Sequence, residues 1–271
     1  MSTRKIIKLP VSSLAAACGM NQYVEFDEFL KDSWRKNHNL PVANGVKKVL
    51  YKKSNEELDK IFEEVVKEKP AENMSRSEKM SAIDKTARVG LKEIEGESKN
   101  STEVKKNIKR TFDKIDKELA NSVEGMSRMG DGVKKENSIL DDYEKGNVIK
   151  ITNRNDAFLN LTLEFDDYEV RLCGKVDGMT TDPETGEEKV VEVKSRRNRL
   201  FRKPPIYEVV QCMCYMHILK VKSCIHIENY NSLSRTTEIK YDDALWEEIV
   251  EKLKNFVECY AIYEEEMKDI H

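Results

Sequence analysis

The sequence predicts a mixed α/β (α+β) fold, and three observations support this prediction. Strand and helix patterns alternate between residues 126 and 271, whereas residues 41–125 carry only helical patterns. A chain of 271 residues with 39% hydrophobic residues can form one large domain, or a domain with an insertion. Charged residues make up 36% of the chain, which indicates much exposed helix.

The first part of the chain is predicted to be helical. Residues 11–37 form one or two helices, and a break follows at 40–45. Three further charged helices are predicted over 54–69, 78–95 and 101–121. Apolar residues at i, i+3 and i+4 support the first and the last of them. We interpret 41–125 as a helical insertion, or an N-terminal helical subdomain, within a single domain over 1–271 whose core is 126–271.

A β-hairpin is predicted in the last third of the chain. Residues 168–181 and 188–194 have strand character, and the Asp-Pro-Glu-Thr-Gly stretch between them is a strong turn signal. With the turn centred near 184–185, Asp177 and Glu192 lie opposite each other, with Cβ atoms about 5 Å apart. Two carboxylates at that distance can share one cation.

The second strand of this hairpin contributes further polar groups. Side chains alternate between the faces of a strand, so Glu192 and Lys194 share one face, and the Val193 carbonyl is free to point toward an ion. Hard oxygen ligands of this kind suit Mg²⁺ or Mn²⁺ rather than Zn²⁺. Alone, a Glu-x-Lys pair is usually a solvated ion pair of little consequence. The neighbouring valines instead indicate a buried strand, in which charged side chains need a reason to be present.

Two predicted helices flank the hairpin. Upstream, a glycine-marked helix start near 130–132 precedes Glu136. Glu93 and Glu95, which also follow a glycine, are the alternatives to Glu136. The downstream helix presents on one face, at i, i+4 and i+8, the residues Tyr207, Gln211 and Tyr215.

Taken in chain order, these motifs resemble those of the PD-(D/E)XK nuclease superfamily and, within it, the lambda-exonuclease and YqaJ-type viral recombinase group. The motifs are Glu-Asn on a helix, Gly-x-x-Asp-Gly and Glu-Val-Lys on strands, and Tyr-x-x-x-Gln-x-x-x-Tyr-Met on a helix. Residues 12–23 resemble the group's opening helix, which ends in a glycine followed by Asn-x-Tyr. The likeness covers 9–30 and 126–230, roughly half of the chain. Val176 stands where many members have proline, and 41–125 match nothing in the group.

The resemblance implies a restriction-endonuclease-like core, with a central mixed sheet flanked by helices, and the activity of a metal-dependent deoxyribonuclease. The expected reaction is exonuclease hydrolysis of linear double-stranded DNA, 5′ to 3′, in recombination, repair or viral DNA processing. One or two Mg²⁺ (or Mn²⁺) ions would be held by Glu136, Asp177, Glu192 and the Val193 carbonyl. The expected catalytic residues are Glu136, Asp177, Glu192, Lys194 and Gln211.

Each of these groups has an expected role. The ions would polarise the phosphate, lower the pKa of a bound water and stabilise the leaving oxygen. Lys194, with a pKa expected to be depressed near the metal, would either orient and help deprotonate that water or neutralise the developing charge. Gln211 would hydrogen-bond the substrate phosphate or Lys194. The six cysteines are interpreted as buried free thiols, so no iron–sulfur cluster is expected.

Basic and aromatic residues around these motifs are candidates for DNA binding. Five cations lie within 196–203, where the loop is either merely solvated or binds phosphates, and its position favours the second interpretation. Phe201 either stacks on bases or anchors the loop. The serines at 12–13 would bind a terminal 5′-phosphate at the start of a helix or simply cap that helix. A second basic cluster lies at 47–53. The predicted DNA contacts are Ser12, Ser13, Arg128, Arg196, Arg197, Arg199, Arg202, Lys203, Tyr207 and Tyr215.

Other function classes stay open at this point. The same site could belong to a single-strand exonuclease or a structure-specific endonuclease, and an inactive DNA-binding protein is the third alternative. Beside DNA, a single-strand annealing protein is an expected partner, and both a monomer and a ring-shaped homo-oligomer are open. The net charge of −3 gives no global basic signature, so DNA binding must come from local patches. The absence of a signal peptide and of an apolar run near 18 residues predicts a soluble cytoplasmic or nuclear protein.

Overall fold

Two compact units make up the chain in a computed structural model. Unit 1 comprises Met1–Pro41 and Lys134–His271, and unit 2 comprises Val42–Val133. The structure describes residues 4–40, 45–98, 100–147, 149–156, 158–196 and 198–268, and within these ranges it leaves out the side chains of 101 and 128–134.

Unit 1 contains two β-sheets. In the first, β4 (Tyr168–Lys175) lies between β1 (Lys5–Pro10), to which it is parallel, and β3 (Phe158–Phe165), to which it is antiparallel. The second has the order β2-β5-β6-β7-β8, with a parallel pair β6–β7 and antiparallel pairs elsewhere. Its strands are β2 (Ile151–Thr152), β5 (Gly178–Thr181), β6 (Glu188–Ser195), β7 (Ser223–Tyr230) and β8 (Leu233–Lys240).

Helices cover the sheets of unit 1. They are α1 (Leu14–Ala17), α2 (Phe26–Asn37), the end of α7 (Lys117–Asn147), α8 (Ile206–Leu219) and α9 (Asp243–Lys268). Helix α8 makes the crossover between the parallel strands β6 and β7, and Val210, Met213 and Met216 on it are completely buried. Helix α9 adds an apolar stripe that includes Leu253, Phe256 and Tyr260, as its helical spacing predicts.

All the regular elements in the described part of unit 2 are helices. It contains α3 (Val46–Tyr51), α4 (Asn55–Val66), α5 (Arg76–Glu97), α6 (Ser101–Phe112) and the first turns of α7. Capping boxes start α4 and α5, in which Ser54 pairs with Glu57 and Ser75 with Glu78. The helices bury an apolar core that includes Leu58, Ile83, Ile108 and Leu119.

The structure confirms the mixed α/β class and corrects several element predictions. The predicted helix at 101–121 is two helices, because Asp116 interrupts it and its Oδ1 accepts the Leu119 N–H at 2.8 Å. The helix start predicted near 130–132 is wrong, since α7 continues through both glycines. An interior glycine costs only about 1 kcal/mol, and burial of Leu119 and Leu140 on α7 offsets that cost.

Two strands were not predicted, and one predicted strand is divided. Residues 5–10 and 158–165 form β1 and β3, although both show the alternation of a half-buried strand. The strand predicted at 168–181 ends at Lys175, and β5 begins at Gly178 in the other sheet. Val176 and Asp177 therefore lie where the chain passes from one sheet to the other. Among the described residues, no helix combines the length and the apolar character needed to cross a membrane.

Candidate active site

The predicted hairpin forms between β5 and β6, and its turn is held by Asp182. Oδ1 of Asp182 accepts the backbone N–H groups of Glu184 and Thr185 at 3.0 and 3.1 Å, while Oδ2 accepts Lys189 Nζ at 2.8 Å. The contact with Lys189 and these N–H groups lower the pKa of Asp182 to about 2. The register pairs Gly178 with Val191. Asp177, the residue before Gly178, therefore lies opposite Glu192, just outside the paired part of the hairpin.

Close packing fixes the backbone beside Asp177. A Cβ added at Gly178 would lie 2.4 Å from Cγ2 of Ile151 on β2, so only glycine fits there. Asp177 is itself buried, and its Oδ2 accepts the backbone N–H of Val193 at 2.7 Å. Burial and, next, the charge of Glu192 raise the pKa of Asp177 to about 8, although the Val193 N–H opposes them. The surroundings of Asp177 therefore stabilise its ionised form poorly.

Glu192 lies at the centre of a small polar cluster with Lys194 and Gln211. Its side chain is 2% exposed, and Oε1 accepts Lys194 Nζ at 2.6 Å and Gln211 Nε2 at 2.9 Å. Lys194 Nζ also donates to Gln211 Oε1 at 3.1 Å, which closes a triangle. The second oxygen, Oε2, is buried and has no hydrogen-bond partner within the described part of the chain.

Carboxylates surround the ammonium group of Lys194. Burial lowers its pKa, but the adjacent Glu192 carboxylate outweighs burial, and the pKa lies above its ordinary value. The depressed pKa was expected beside a bound cation, so that expectation stays a prediction.

Glu136 reaches the same region from the last turns of α7. Its Oε2 accepts Asn155 Nδ2 at 3.3 Å. Burial raises the pKa of Glu136, and the charge of Glu192 adds to this effect, which places the two carboxylates within electrostatic range. Asn155 was not predicted, since it lies in the irregular loop between β2 and β3, where no periodic pattern marks it.

The donor set fits a hard cation in its chemistry. Asp177, Glu192 and Glu136 are partly or fully buried carboxylates. The charge of Glu192 raises the pKa of Asp177 and of Glu136, and Glu192 Oε2 has no donor among the described residues. In the described residues, however, no group of three or more His, Cys, Asp or Glu side chains is already arranged to hold an ion. Because Asp177 Oδ2 and Glu192 Oε1 face protein donors, a cation would have to compete for them.

The loop after β6 does not present all its cations to solvent. Arg196 donates from Nη1 and Nη2 to both oxygens of Glu208, at 2.7 and 2.6 Å, and from Nε to Glu228 at 2.6 Å. Arg196 is thus engaged inside the protein rather than free for a phosphate. Its guanidinium lies 4.6 Å from the centre of the Phe201 ring, which is consistent with Phe201 as the loop's anchor. Three of the cations predicted to contact DNA remain exposed: Arg199, Arg202 and Lys203.

The other predicted DNA contacts are spread more widely. Tyr207 is half-buried and meets Tyr23, which is 69% exposed, edge to face at 5.9 Å. Tyr215 is only 3% exposed, so its side chain is not available at the surface. Ser12 and Ser13 lie in a 3-10 turn before the four-residue α1, where the dipole is small, and Ser13 makes no cap hydrogen bond. Arg197 and the side chain of Arg128 lie outside the described residues.

All six cysteines are free, but the prediction that they are buried is wrong for Cys173 and Cys259, which are half-buried. Burial makes the other four poor nucleophiles. Cys212, Cys214 and Cys224 are completely buried, and the same cause raises the pKa of Cys18 to about 12. Sequence reasoning also overlooked Glu208, His226 and Glu228, which are buried next to the Glu192 cluster. The signal for the last two was available, because they alternate with isoleucines on β7.

Comparisons with known proteins found similarity only among solved structures. No family model matches the chain, and no curated protein does. An alkaline exonuclease from Laribacter hongkongensis is 11% identical, with 97% of this chain and 92% of that chain covered, at a TM-score of 0.49. Its complex with dAMP is 10% identical, covering 99% and 93%, at 0.48. A phage-related exonuclease from Haemophilus somnus 129PT is 12% identical, covering 78% and 93%, at 0.41.

These exonucleases are similar to the chain in the arrangement of helices and strands. Because the TM-scores are below 0.5 and the identities near a tenth, conclusions about chemistry rest on the site itself.

Proposed function

We propose that this chain is a divalent-metal-dependent deoxyribonuclease that acts as an exonuclease on linear double-stranded DNA. We further propose 5′-to-3′ polarity and a role in recombination, repair or viral DNA processing. The order of the motifs, which resembles that of the lambda-exonuclease and YqaJ-type group, supports the substrate and the polarity. The geometry around Glu192 supports the chemistry.

One observation carries the proposal: Glu192 is buried beside a second buried carboxyl group, Asp177, and one of its oxygens has no partner among the described residues. Burying carboxylates together costs several kcal/mol, because each group loses its hydration and the charges repel. Folding alone gives no reason for such an arrangement. A divalent cation would remove the repulsion and would bind Glu192 Oε2, the oxygen without a partner among the described residues.

The chain's own residues have definite tasks in this reaction. Glu136, Asp177, Glu192 and the Val193 carbonyl are the groups that would hold the ion. Bound there, it would supply Lewis-acid polarisation of the scissile phosphate. We assign to Lys194 the neutralisation of charge that develops on the phosphate, because its ammonium group is held beside the Glu192 carboxylate at 2.6 Å.

Gln211 orients Lys194. Its amide donates to Glu192 and accepts from Lys194, so it holds the ammonium and the carboxylate in a single geometry. Replacing the amide would remove one of the two contacts that hold the Lys194 ammonium and would leave its contact with Glu192. The exposed cations Arg199, Arg202 and Lys203 are the side chains we assign to phosphates along the DNA.

The test is digestion of a linear duplex labelled separately at each 5′ and 3′ end, with Mg²⁺, Mn²⁺ or chelator. We expect mononucleotide release from the 5′-labelled ends in the presence of metal and none in chelator. A closed circle of the same sequence should stay intact. Cleavage of the circle would indicate an endonuclease instead of an exonuclease. Early release of the 3′ label would indicate the opposite polarity.

The matched control uses two lysines of the same strand. Lys189 on β6 pairs with Asp182 and Glu238 away from Glu192, so Lys189→Ala should keep the activity. Lys194→Ala should lose it while still binding DNA. Binding without cleavage by the unaltered protein under every metal condition would favour an inactive DNA-binding protein and overturn the proposal.

A further inference from the structure

A second buried polar cluster lies directly beside the Glu192 cluster. It consists of Arg196 on the loop after β6, Glu208 on α8, and His226 and Glu228 on β7. The register of β6 and β7 pairs Glu192 with His226 and Lys194 with Glu228. Arg196 follows Lys194 by two residues, and Glu208 precedes Gln211 by three, which is about one helical turn. Each member of this cluster is thus a near neighbour of a residue in the proposed active site.

Short, directional contacts join the four side chains. The two carboxylate oxygens of Glu208 accept hydrogen bonds from the terminal nitrogens of Arg196, at 2.7 and 2.6 Å. Oε2 of Glu208 also lies 2.9 Å from Nε2 of His226. Arg196 Nε donates to Glu228 Oε1 at 2.6 Å. Glu208, His226 and Glu228 are 4%, 0% and 1% exposed. The fork of Arg196 therefore ties α8 to the ends of β6 and β7.

Stability does not explain this cluster. Buried ion pairs lose most of their Coulomb gain to desolvation, and apolar residues of similar volume often do as well. The cluster is also incompletely satisfied, since Glu228 Oε2 and His226 Nδ1 have no partner among the described residues. Unlike an apolar contact, a bidentate arginine fixes the relative orientation of the groups it joins, because two parallel hydrogen bonds fix both distance and angle.

Apart from the hydrogen bonds of Gln211, much of the contact between α8 and the sheet fixes no direction. The buried side chains of α8 include Val210, Met213 and Met216, and such contacts are non-directional. A helix held only by them can rotate or shift slightly at little cost. A shift of 1 Å would break the contacts of Gln211, at 3.1 Å to Lys194 and 2.9 Å to Glu192.

We propose that Arg196, Glu208, His226 and Glu228 form a clamp that fixes the rotation and register of α8 on β6 and β7, and so holds Gln211 and Lys194 on Glu192. Glu208 is its central positioning residue. The effect on rate rests on the proposed nuclease function, whereas the effect on the position of Lys194 does not. The clamp also reassigns Arg196 from a DNA contact to a structural role.

The variant that tests the clamp is Glu208→Gln, which keeps the size but removes the charge that holds Arg196. The matched control is Glu264→Gln on α9. Glu264 is also a buried carboxylate, at 8% exposed, and it accepts from Lys5 and from Tyr168. Both variants should lower the melting temperature. Only Glu208→Gln should lower kcat, by about 10- to 100-fold with little change in KM, as expected for a catalytic group displaced by about 1 Å.

A second readout does not depend on activity. The rate of reductive methylation at Lys194, followed by mass spectrometry, should rise in Glu208→Gln and stay constant in Glu264→Gln, because loss of the clamp frees the ammonium. If Glu208→Gln does not fold, Arg196→Lys takes its place, since lysine keeps the charge but lacks the fork. A full kcat together with unchanged methylation would overturn the clamp. If methylation is faster in Glu208→Gln but the unaltered protein never cleaves DNA, the clamp is supported and the proposed nuclease function is refuted.

Discussion

The core of unit 2 and the interface between α8 and the sheet in unit 1 bury very different side chains. In the described part of unit 2, the buried residues are apolar except for Glu124 and Ser127, and Glu124 pairs with Lys105. In unit 1, five buried polar residues lie on α8, on β6 and β7, or beside β6: Glu208, Glu192, His226, Glu228 and Asp177. Buried charges cost stability unless they are paired. The described core of unit 2 therefore avoids most of a cost that the buried charges of unit 1 carry.

The largest effect that this comparison predicts is on catalysis. Lys194→Ala should reduce DNA cleavage by about three orders of magnitude, the loss expected when a preorganised charge facing the transition state is removed. The melting temperature should also fall, because the buried Glu192 carboxylate loses its ion pair and keeps the Gln211 hydrogen bond. The measurement is single-turnover cleavage beside thermal unfolding. A cleavage rate within tenfold of the unaltered protein would exclude Lys194 from the reaction.

The next effect is on the stability of unit 2. Ile83→Ala on α5 removes a completely buried side chain and should cost roughly 2–5 kcal/mol, the lost transfer energy plus the cavity. Val89→Ala on the same helix is the control, since Val89 is 50% exposed and its loss should cost well under 1 kcal/mol. Urea unfolding of both variants gives the comparison. Equal costs would mean that the interior of unit 2 is not packed as described.

Two buried carboxyl groups should make the stability of the protein depend on pH in opposite directions. The pKa of Asp177 is raised to about 8, so its folded form binds a proton that the unfolded chain releases near pH 4. In chelator, its contribution to stability is present below pH 4 and is lost as the pH rises to 8. Glu264 behaves in the opposite way. Burial raises its pKa, but the contacts with Lys5 and Tyr168 outweigh burial and lower it, so its contribution is lost as the pH falls below 4.5.

Two variants separate these contributions. Asp177→Asn should flatten the decline in melting temperature between pH 5 and 8, and Glu264→Gln should flatten the decline on the acid side. Added Mg²⁺ should raise the melting temperature of the unaltered protein by mass action and that of Asp177→Asn much less. An equal Mg²⁺ shift in both would remove Asp177 from the set of metal ligands.

The smallest effect concerns the loop after β6. Arg199→Ala should weaken DNA binding modestly and reduce the slope of log affinity against log salt by about one, as for one lost phosphate contact. Arg196→Ala should leave that slope unchanged and lower the melting temperature instead, because Arg196 pairs with Glu208 and Glu228. Binding titrations at several salt concentrations distinguish the two arginines. A changed slope in Arg196→Ala would return Arg196 to the DNA contacts.

Local spacing explains which predictions could be made from the sequence. The turn at 182–186 and the alternation on β6 are short-range patterns, so the hairpin and the shared face of Glu192 and Lys194 could be predicted from them. The i, i+4 face of α8 likewise identified Gln211. The helix start near 130–132 could not be predicted correctly, because an interior glycine is tolerated wherever the rest of the helix is packed.

Asn155, Glu208 and Arg196 show what local spacing could not supply. Asn155 meets Glu136 from an irregular loop, 19 residues away in the sequence. Arg196 was predicted to contact DNA, because its carboxylate partners lie 12 and 32 residues further along the chain and no local pattern marks them. A run of basic residues is the same in sequence whether its side chains face water or a buried carboxylate.

The amino-acid sequence by itself determined the secondary elements of the hairpin, the face of α8 and the types of charged groups on them, since each follows from periodicity over a few residues. Only the tertiary structure decided which of these charges meet. It set the raised pKa values of Asp177 and Lys194, left Glu192 Oε2 without a partner among the described residues, and paired Arg196 with Glu208 and Glu228. The physical reason is that burial and Coulomb interactions depend on distance in space, and the distances at this site join elements far apart in the chain.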